Sequence, residues 1–166
     1  LVKKKRKFYP EDFFPSDLET VKKELDQLDQ IELNSTEQLE EVILKMSELY
    51  TIIKDISTRK YIDMTLYADQ KKYLDDYQHY YKDILLKTVP PSFELSKKIN
   101  ASPRLDQLPE HYEYFKKLIN HEIKSFCREN LPLMAEEVQL VNQYTTTCSK
   151  MTVHYEGKER TLPQLQ

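Results

Sequence analysis

Met151-Thr-Val-His-Tyr-Glu-Gly157-Lys-Glu-Arg-Thr-Leu162 is the stretch at which the chain changes from helical to β patterning. Alternate positions from Met151 through Val153 to Tyr155 are apolar, and the pattern resumes beyond Gly157, the only glycine in the chain. Two short alternating runs on either side of a glycine are typical of a β-hairpin. The stretch therefore predicts one hairpin, over residues 151–162, at the end of a chain that is otherwise patterned as helix.

We expect Met151–Glu156 to pair antiparallel with Lys158–Leu162 through a tight turn at Gly157. Because an isolated two-stranded hairpin is only marginally stable, Val153 or Tyr155 is expected to pack on the helices. Directly after the hairpin, Thr161-Leu-Pro-Gln164 has the pattern of a helix start, with proline in the first turn. A chain that stops there is expected to be incomplete.

The surest helix of the chain follows Ser35, which forms a predicted capping box with Gln38. Its apolar residues recur at helical spacing without interruption, and they are Leu39, Val42, Ile43, Met46, Leu49, Tyr50, Ile53 and Ile56. Neither proline nor glycine interrupts the pattern before about Tyr67. An earlier helix is predicted from a capping box of Ser16 and Glu19 to about Asp29, behind an extended segment that contains Pro10 and Pro15.

The second half of the chain is divided by prolines. A third helix is predicted to begin at Asp69 and to end at Pro90-Pro91, and the same pair is expected to open a helix over Ser92–Ile99. Pro109 opens the next helix, and a long last helix begins at about Pro132. The predicted fold class is therefore mainly α, with five to seven roughly antiparallel packed helices and one β-hairpin near the carboxy terminus.

A stripe of tyrosines marks one face of the third helix. Tyr73, Tyr77, Tyr80 and Tyr81 lie at helical spacing, followed by Ile84. Their phenol groups could line a ligand channel, since each offers apolar area and a hydrogen bond. The alternative is ordinary packing against neighbouring helices with the hydroxyls at the rim, and a helical aromatic stripe favours this second interpretation.

Composition narrows the function classes. The chain has 166 residues, a formal net charge of −3 and two cysteines, so it fits one domain or part of one and offers no disulfide framework. No apolar run approaches the roughly 20 residues that span a membrane, and no signal peptide is visible, so the expected compartment is the cytoplasm. The basic cluster Lys3–Lys7 could be a nuclear-import signal or a phosphate-binding arm. A solvated tail over residues 1–7 is the favoured reading, and no nucleic-acid partner is expected.

Four stretches resemble the amino-terminal region of the oligoendopeptidase F type of zinc metallopeptidase, the M3 family. They are Arg6-Lys-Phe-Tyr-Pro-Glu-Asp-Phe13, then Ser92-Phe-Glu-Leu-Ser-Lys-Lys-Ile99 with Ser102-Pro103 behind it, then Arg128-Glu-Asn-Leu-Pro-Leu-Met-Ala-Glu-Glu-Val138, and Thr152-Val-His-Tyr-Glu-Gly-Lys-Glu-Arg-Thr-Leu-Pro-Gln-Leu165. Their order and spacing extend the resemblance over nearly the whole chain. It implies a helical lobe that faces a catalytic lobe across a deep channel, which admits short peptides and excludes folded proteins.

The resemblance also predicts a zinc site built on His-Glu-x-x-His, with the glutamate as base. The nearest approach is His121-Glu122-Ile-Lys-Ser125, in which serine replaces the second histidine. A neutral hydroxyl does not replace an imidazole as zinc ligand, so a partly exposed polar pair is expected. We therefore assign no catalytic, cofactor-binding or metal-binding residue to this chain, and expect zinc to be bound by the full-length parent.

Other candidate residues form no constellation. His79, His111 and His154 have no partner at metal-ligand spacing, and Cys127 and Cys148 are expected to be buried free thiols. The adjacent pairs Glu40-Glu41 and Glu136-Glu137 are expected to face solvent on different sides of their helices.

The sequence thus predicts the amino-terminal substrate-channel lobe of an M3 peptidase. Its expected partners are the catalytic lobe of the same polypeptide and short peptides, with no membrane. Self-association is also expected, through Leu162, Leu165 and part of the Tyr144–Met151 surface. The rival hypothesis is a free-standing helical module that binds a partner helix or peptide.

Overall fold

The computed structural model describes residues 5–67 and 70–161, and it is mainly α with one carboxy-terminal hairpin, as predicted. In chain order, the helices and strands are α1 (Leu18–Asp29), α2 (Thr36–Leu66), α3 (Lys71–His79), a π-helical segment (Tyr80–Leu85), α4 (Leu86–Ala101), 3-10 turns (Leu105–Gln107 and Glu110–Tyr112), α5 (Glu113–Ser125), α6 (Asn130–Lys150), β1 (Thr152–Tyr155) and β2 (Lys158–Thr161). The chain divides into two compact units, Leu1–Arg128 and Glu129–Gln166.

The first unit is built on one apolar core. Helix α1 packs against α2 and α4, α2 packs against α3 and the π-helical segment, and α4 packs against α5. The predicted stripes of α1 and α2 supply much of this core, because helical spacing places their apolar residues on one face. Its most deeply buried aliphatic residues are Val21, Leu39, Val42, Leu49, Leu95 and Ile99.

Helix starts follow local hydrogen bonding. The capping box at Ser35 is confirmed: its hydroxyl accepts from the Gln38 N–H, and the Gln38 side chain accepts from the Ser35 N–H. At α1 the predicted cap Ser16 is wrong by one residue. Asp17 caps instead and accepts from the Thr20 N–H at 2.8 Å. The Asp69 cap predicted for α3 lies outside the described residues.

Pro90 and Pro91 do not end a helix, which corrects the predicted break. α3, the π-helical segment and α4 follow without interruption from Lys71 to Ala101, with both prolines inside α4. Proline in a helix interior costs about 3 kcal/mol. The burial of Leu95 and Ile99 beyond the prolines offsets this local preference, because it fixes the rest of α4 on the core.

The segment before α1 is held on α2, and it bends at residues 7–9 and turns at residues 11–12 where the prolines predicted an extended chain. Glu48 accepts hydrogen bonds from the backbone N–H groups of Lys7, Phe8 and Tyr9. The Arg6 guanidinium donates to the Pro10 and Phe13 carbonyls. The Arg6 side chain is therefore bound to the protein and not solvated, as the tail predicted for residues 1–7 would be. Lys3 and Lys4 lie outside the described residues.

The second unit contains α6 and the hairpin. Helix α6 begins at Asn130, so Pro132 lies in its first turn and does not precede it. The hairpin pairs Tyr155 with Lys158 and turns through Glu156 and Gly157.

Two features of the hairpin differ from the prediction or lie beyond the described residues. The packing prediction is wrong, since Val153 is 43% and Tyr155 52% exposed. A four-residue strand buries little when only one partner strand flanks it. The helix start and the self-association surface predicted at Leu162 and Leu165 lie outside the described residues.

Candidate functional site

A largely apolar cavity of about 310 Å³ opens in the first unit between α2, α4 and α5, and we call it the α2–α4–α5 cavity. Each helix contributes four of its lining residues: Ile43, Met46, Ser47 and Tyr50 from α2, Thr88, Val89, Ser92 and Ser96 from α4, and Phe115, Leu118, Ile119 and Glu122 from α5. Its volume lies at the lower end of the range for small-ligand pockets, roughly 300–1,000 Å³.

Glu122 is the charged residue among the described lining residues. Burial of its carboxyl group against the apolar walls raises the pKa of Glu122, although the residue as a whole remains solvent-exposed. No ion pair joins it to a basic side chain in the described part of the molecule. The cavity thus combines apolar walls with one carboxylate that has no counter-ion in the described residues.

Hydroxyl groups supply the other polarity of the cavity. The Thr88 hydroxyl donates to the Leu85 carbonyl at 2.7 Å and is therefore satisfied within its own helix. The Ser96 Oγ is buried, and no described residue is its hydrogen-bond partner. A buried unpaired hydroxyl costs about 1–3 kcal/mol, so this atom is a polar group that the fold itself leaves unsatisfied.

The His121-Glu122-Ser125 sequence does not assemble a metal site. The Ser125 hydroxyl donates to the His121 carbonyl at 2.9 Å, which is a contact with the helix backbone and not with the imidazole. Across residues 5–67 and 70–161, no group of three or more His, Cys, Asp or Glu side chains is placed to hold a metal ion. Both His121 and Glu122 are exposed.

The other histidines lie apart. His79 Nδ1 is 3.0 Å from an Asp83 carboxylate oxygen, and the His111 ring is 4.5 Å from the Tyr112 ring. His154 lies in β1. Each has an ordinary local contact or a strand position, and none shares a site with another histidine.

Two predictions about single residues are wrong. The cysteines are not buried thiols: Cys127 is exposed and Cys148 is only partly buried. Cys127 is exposed because it lies in the turn between α5 and α6 and not on a helix face. Glu40 does not simply face solvent, because its carboxylate accepts the Tyr112 hydroxyl at 2.8 Å. Its neighbour Glu41 pairs with Lys45 at 2.7 Å on the surface.

The tyrosine stripe is a packing surface. Tyr77 and Tyr80 are buried, and Tyr77 contacts the rings of Tyr61 and Tyr81. The Tyr80 hydroxyl donates to the Pro15 carbonyl at 3.2 Å, which ties the π-helical segment to the residues before α1. Of the two interpretations of the stripe, the structure supports packing against neighbouring helices, and the Tyr80 hydroxyl reaches a backbone carbonyl and not the rim.

The sequence did not predict the α2–α4–α5 cavity, because its walls come from segments far apart in the chain.

Among the described residues, no helix is both long enough and apolar enough to cross a membrane. Comparisons with protein-family models, with curated proteins and with solved structures return no match for this chain.

Proposed function

We propose that the chain is the amino-terminal substrate-channel lobe of a larger zinc-dependent oligoendopeptidase of the M3 type, which hydrolyses short peptides in the cytoplasm. The lobe forms one wall of the channel and restricts access to it. The catalytic residues and the metal belong to another part of the same polypeptide.

One observation carries this proposal: the four stretches that resemble the family occur in order along one helical chain. The first, Arg6–Phe13, is anchored to α2 through Glu48. The second, Ser92–Ile99, lies in α4 and contributes Leu95 and Ile99 to the core. Structured positions of this kind are what a wall requires, because a channel excludes folded proteins only if its sides hold their shape.

Apart from Arg128, the last two stretches lie in the second unit. Arg128–Val138 leads into and begins α6, and the described part of the fourth stretch forms the hairpin of β1 and β2. A zinc peptidase supplies a metal-activated water, which requires three protein ligands that converge on one metal. The proposal therefore assigns this chain a role in substrate access and not in the chemical step.

The test is the reading frame of the complete gene. The proposal expects a His-Glu-x-x-His sequence downstream of Gln166 in the same frame. A stop codon at this point in the natural transcript, with no such motif beyond it, would remove the main support for the peptidase. Access to the channel is then tested by offering the full-length protein a library of short peptides and a set of folded proteins. Cleavage is expected only for the peptides.

The second candidate is a helical module that binds a partner peptide or helix, and the α2–α4–α5 cavity is the observation in its favour. Exposed Tyr50 and Leu118 at the cavity could accept an apolar side chain. A reading frame that encodes only this helical region, together with saturable binding of a peptide, would favour the module over the peptidase lobe.

A further inference from the structure

The α2–α4–α5 cavity places one acid among apolar surfaces. Phe115, Leu118 and Ile119 precede Glu122 on α5 and line the same cavity with it. In such a place a carboxylate loses part of its hydration and gains no compensating partner from the apolar walls. A ligand that brings a positive charge or a hydrogen-bond donor would offset this cost.

Within residues 5–67 and 70–161, no basic side chain forms an ion pair with Glu122. The residues three and four positions away from Glu122 are Leu118, Ile119 and Ser125 on α5 and Phe126 directly after it. None of them is charged, so none can form a helical ion pair with Glu122. Burial is the cause that raises the pKa of Glu122. The ammonium of Lys54 lies 5.3 Å from the centre of the Tyr50 ring, and it forms no described ion pair with Glu122.

We propose that the α2–α4–α5 cavity binds a small molecule or peptide end that joins an ammonium group to an apolar body, with Glu122 as the counter-ion of the ammonium. The apolar body occupies the space between α2, α4 and α5. This inference does not depend on the peptidase proposal, because it rests on the cavity and on Glu122.

The lining residues match both ends of such a ligand. Phe115 and Tyr50 offer aromatic surface to an apolar body. An ammonium has three donors, and after Glu122 accepts one, the hydroxyl oxygens of Ser47 and Ser92 are the kind of acceptor that remains. An anionic ligand would meet Glu122 with a like charge, which excludes it from the same site.

The same chemistry has two sources, a free amine and the amino-terminal residue of a peptide. Titration calorimetry with the whole 166-residue chain distinguishes them, with phenethylamine as the free amine and the amide of Phe-Gly as the peptide end. We expect saturable binding of phenethylamine at one site. If the Phe-Gly amide binds more tightly, the natural ligand is a peptide end; if only phenethylamine binds, it is a free amine.

Charge is tested with isosteres of the probe. 2-Phenylethanol keeps the apolar body without the cation, and 3-phenylpropionate reverses the charge, so both are expected to bind at least about tenfold more weakly. Equal binding of phenethylamine and 2-phenylethanol would overturn the role of Glu122. Absence of binding by both amines would overturn the site.

Variants then locate the site. Glu122→Gln is expected to weaken the binding of phenethylamine about tenfold or more and to leave the binding of 2-phenylethanol unchanged. Glu113→Gln is the matched control, because Glu113 lies on the same helix, outside the cavity, and pairs with Lys116 at 2.7 Å. Helical circular dichroism checks that each variant folds. If Glu122→Gln and Glu113→Gln bind phenethylamine equally, the assignment is contradicted.

Discussion

The carboxylate of Glu48 in α2 accepts the backbone N–H of Lys7 at 2.9 Å, across 41 residues of sequence. Its other oxygen accepts the N–H groups of Phe8 at 3.1 Å and Tyr9 at 3.0 Å. One acid therefore fixes three consecutive backbone groups of the segment that precedes α1. Desolvation raises the pKa of Glu48, but the bonds from Lys7, Tyr9 and Phe8, together with Arg6, hold it below its usual value.

Glu48→Gln is expected to lower the free energy of unfolding by about 1–3 kcal/mol at neutral pH, because the charge that strengthens three hydrogen bonds is removed. Urea unfolding of both proteins measures the change. Glu41→Gln is the control and should have little effect, since Glu41 forms a surface pair with Lys45.

The effect of Glu48 also depends on pH in a defined direction. Because its folded pKa is lowered, its contribution is present above the pKa of the unfolded chain and is lost as the pH falls through the folded value. The stabilities of the wild type and Glu48→Gln should therefore converge in acid. A difference that stays constant down to acid pH would show that the charge of Glu48 does not act through these bonds.

Tyr112 gives the corresponding prediction in alkali. Burial and the bond to Glu40 raise the pKa of Tyr112 from 10.0 to about 12. A phenol whose folded pKa is raised stabilises the fold below the unfolded pKa, and that stability is lost as the pH rises through the folded value.

Tyr112→Phe should lower the free energy of unfolding by about 1–2 kcal/mol at neutral pH, because the hydrogen bond to Glu40 is lost and its carboxylate is left with one acceptor unpaired. It should also flatten the decline in stability between pH 10.0 and about 12. Tyr114→Phe is the matched control, because Tyr114 is 72% exposed. Thermal unfolding at a series of pH values measures both effects, and equal behaviour of the two variants would contradict the role of the Tyr112 hydroxyl.

The hairpin turn makes a third prediction. Glu156 and Gly157 have φ values of 53° and 75°, as a two-residue type I′ turn requires. Gly157→Ala should destabilise the hairpin by about 1 kcal/mol, because an L side chain disfavours this conformation. Apart from Gly157 and its chain neighbours, no described residue has a heavy atom within 4 Å of the added Cβ, so the cost is conformational and not steric.

Glu156→Asn should act in the opposite direction, since asparagine tolerates positive φ and Asn-Gly is the preferred pair for this turn. Nuclear Overhauser contacts between Val153 and Arg160, which are paired in the register, report the population of the hairpin. A population that is insensitive to both changes would show that the turn does not set the pairing.

Local patterns were read correctly from the sequence where the interactions themselves are local. The capping box of Ser35 and Gln38 spans four residues, and the Gly157 turn is specified by its own backbone requirement. The break predicted at Pro90-Pro91 was wrong because α4 is stabilised by contacts with other helices, which a local pattern does not show. The Asp17 cap differs from Ser16 by one residue because both types can cap and the final choice depends on the geometry of the approach.

The candidate site was harder to predict than the fold. In the sequence, Glu122 belongs only to an incomplete zinc motif, whereas its surroundings in the fold come from α2 and α4 as well as α5. Sequence periodicity shows which face of a helix is apolar. Periodicity does not show where three such faces leave a cavity between them. The position of a cavity depends on the side-chain volumes of segments that are distant in the sequence.

The isolated 166-residue chain should neither retain zinc nor cleave peptides. A catalytic zinc needs three protein ligands at one point, and the proposal assigns those ligands to another part of the polypeptide. Metal analysis after dialysis against a weak chelator measures the first property. One equivalent of retained zinc, or peptidase activity that follows the chain through purification, would contradict the assignment.

We propose for this chain the role of substrate-channel lobe of a zinc oligoendopeptidase. Its most direct test is the rate at which the protein from the complete reading frame hydrolyses a short quenched fluorescent peptide, measured with and without a metal chelator. We expect hydrolysis that the chelator abolishes and added zinc restores. A complete protein that leaves such peptides intact when loaded with zinc, or that cleaves them equally well in the chelator, would contradict it.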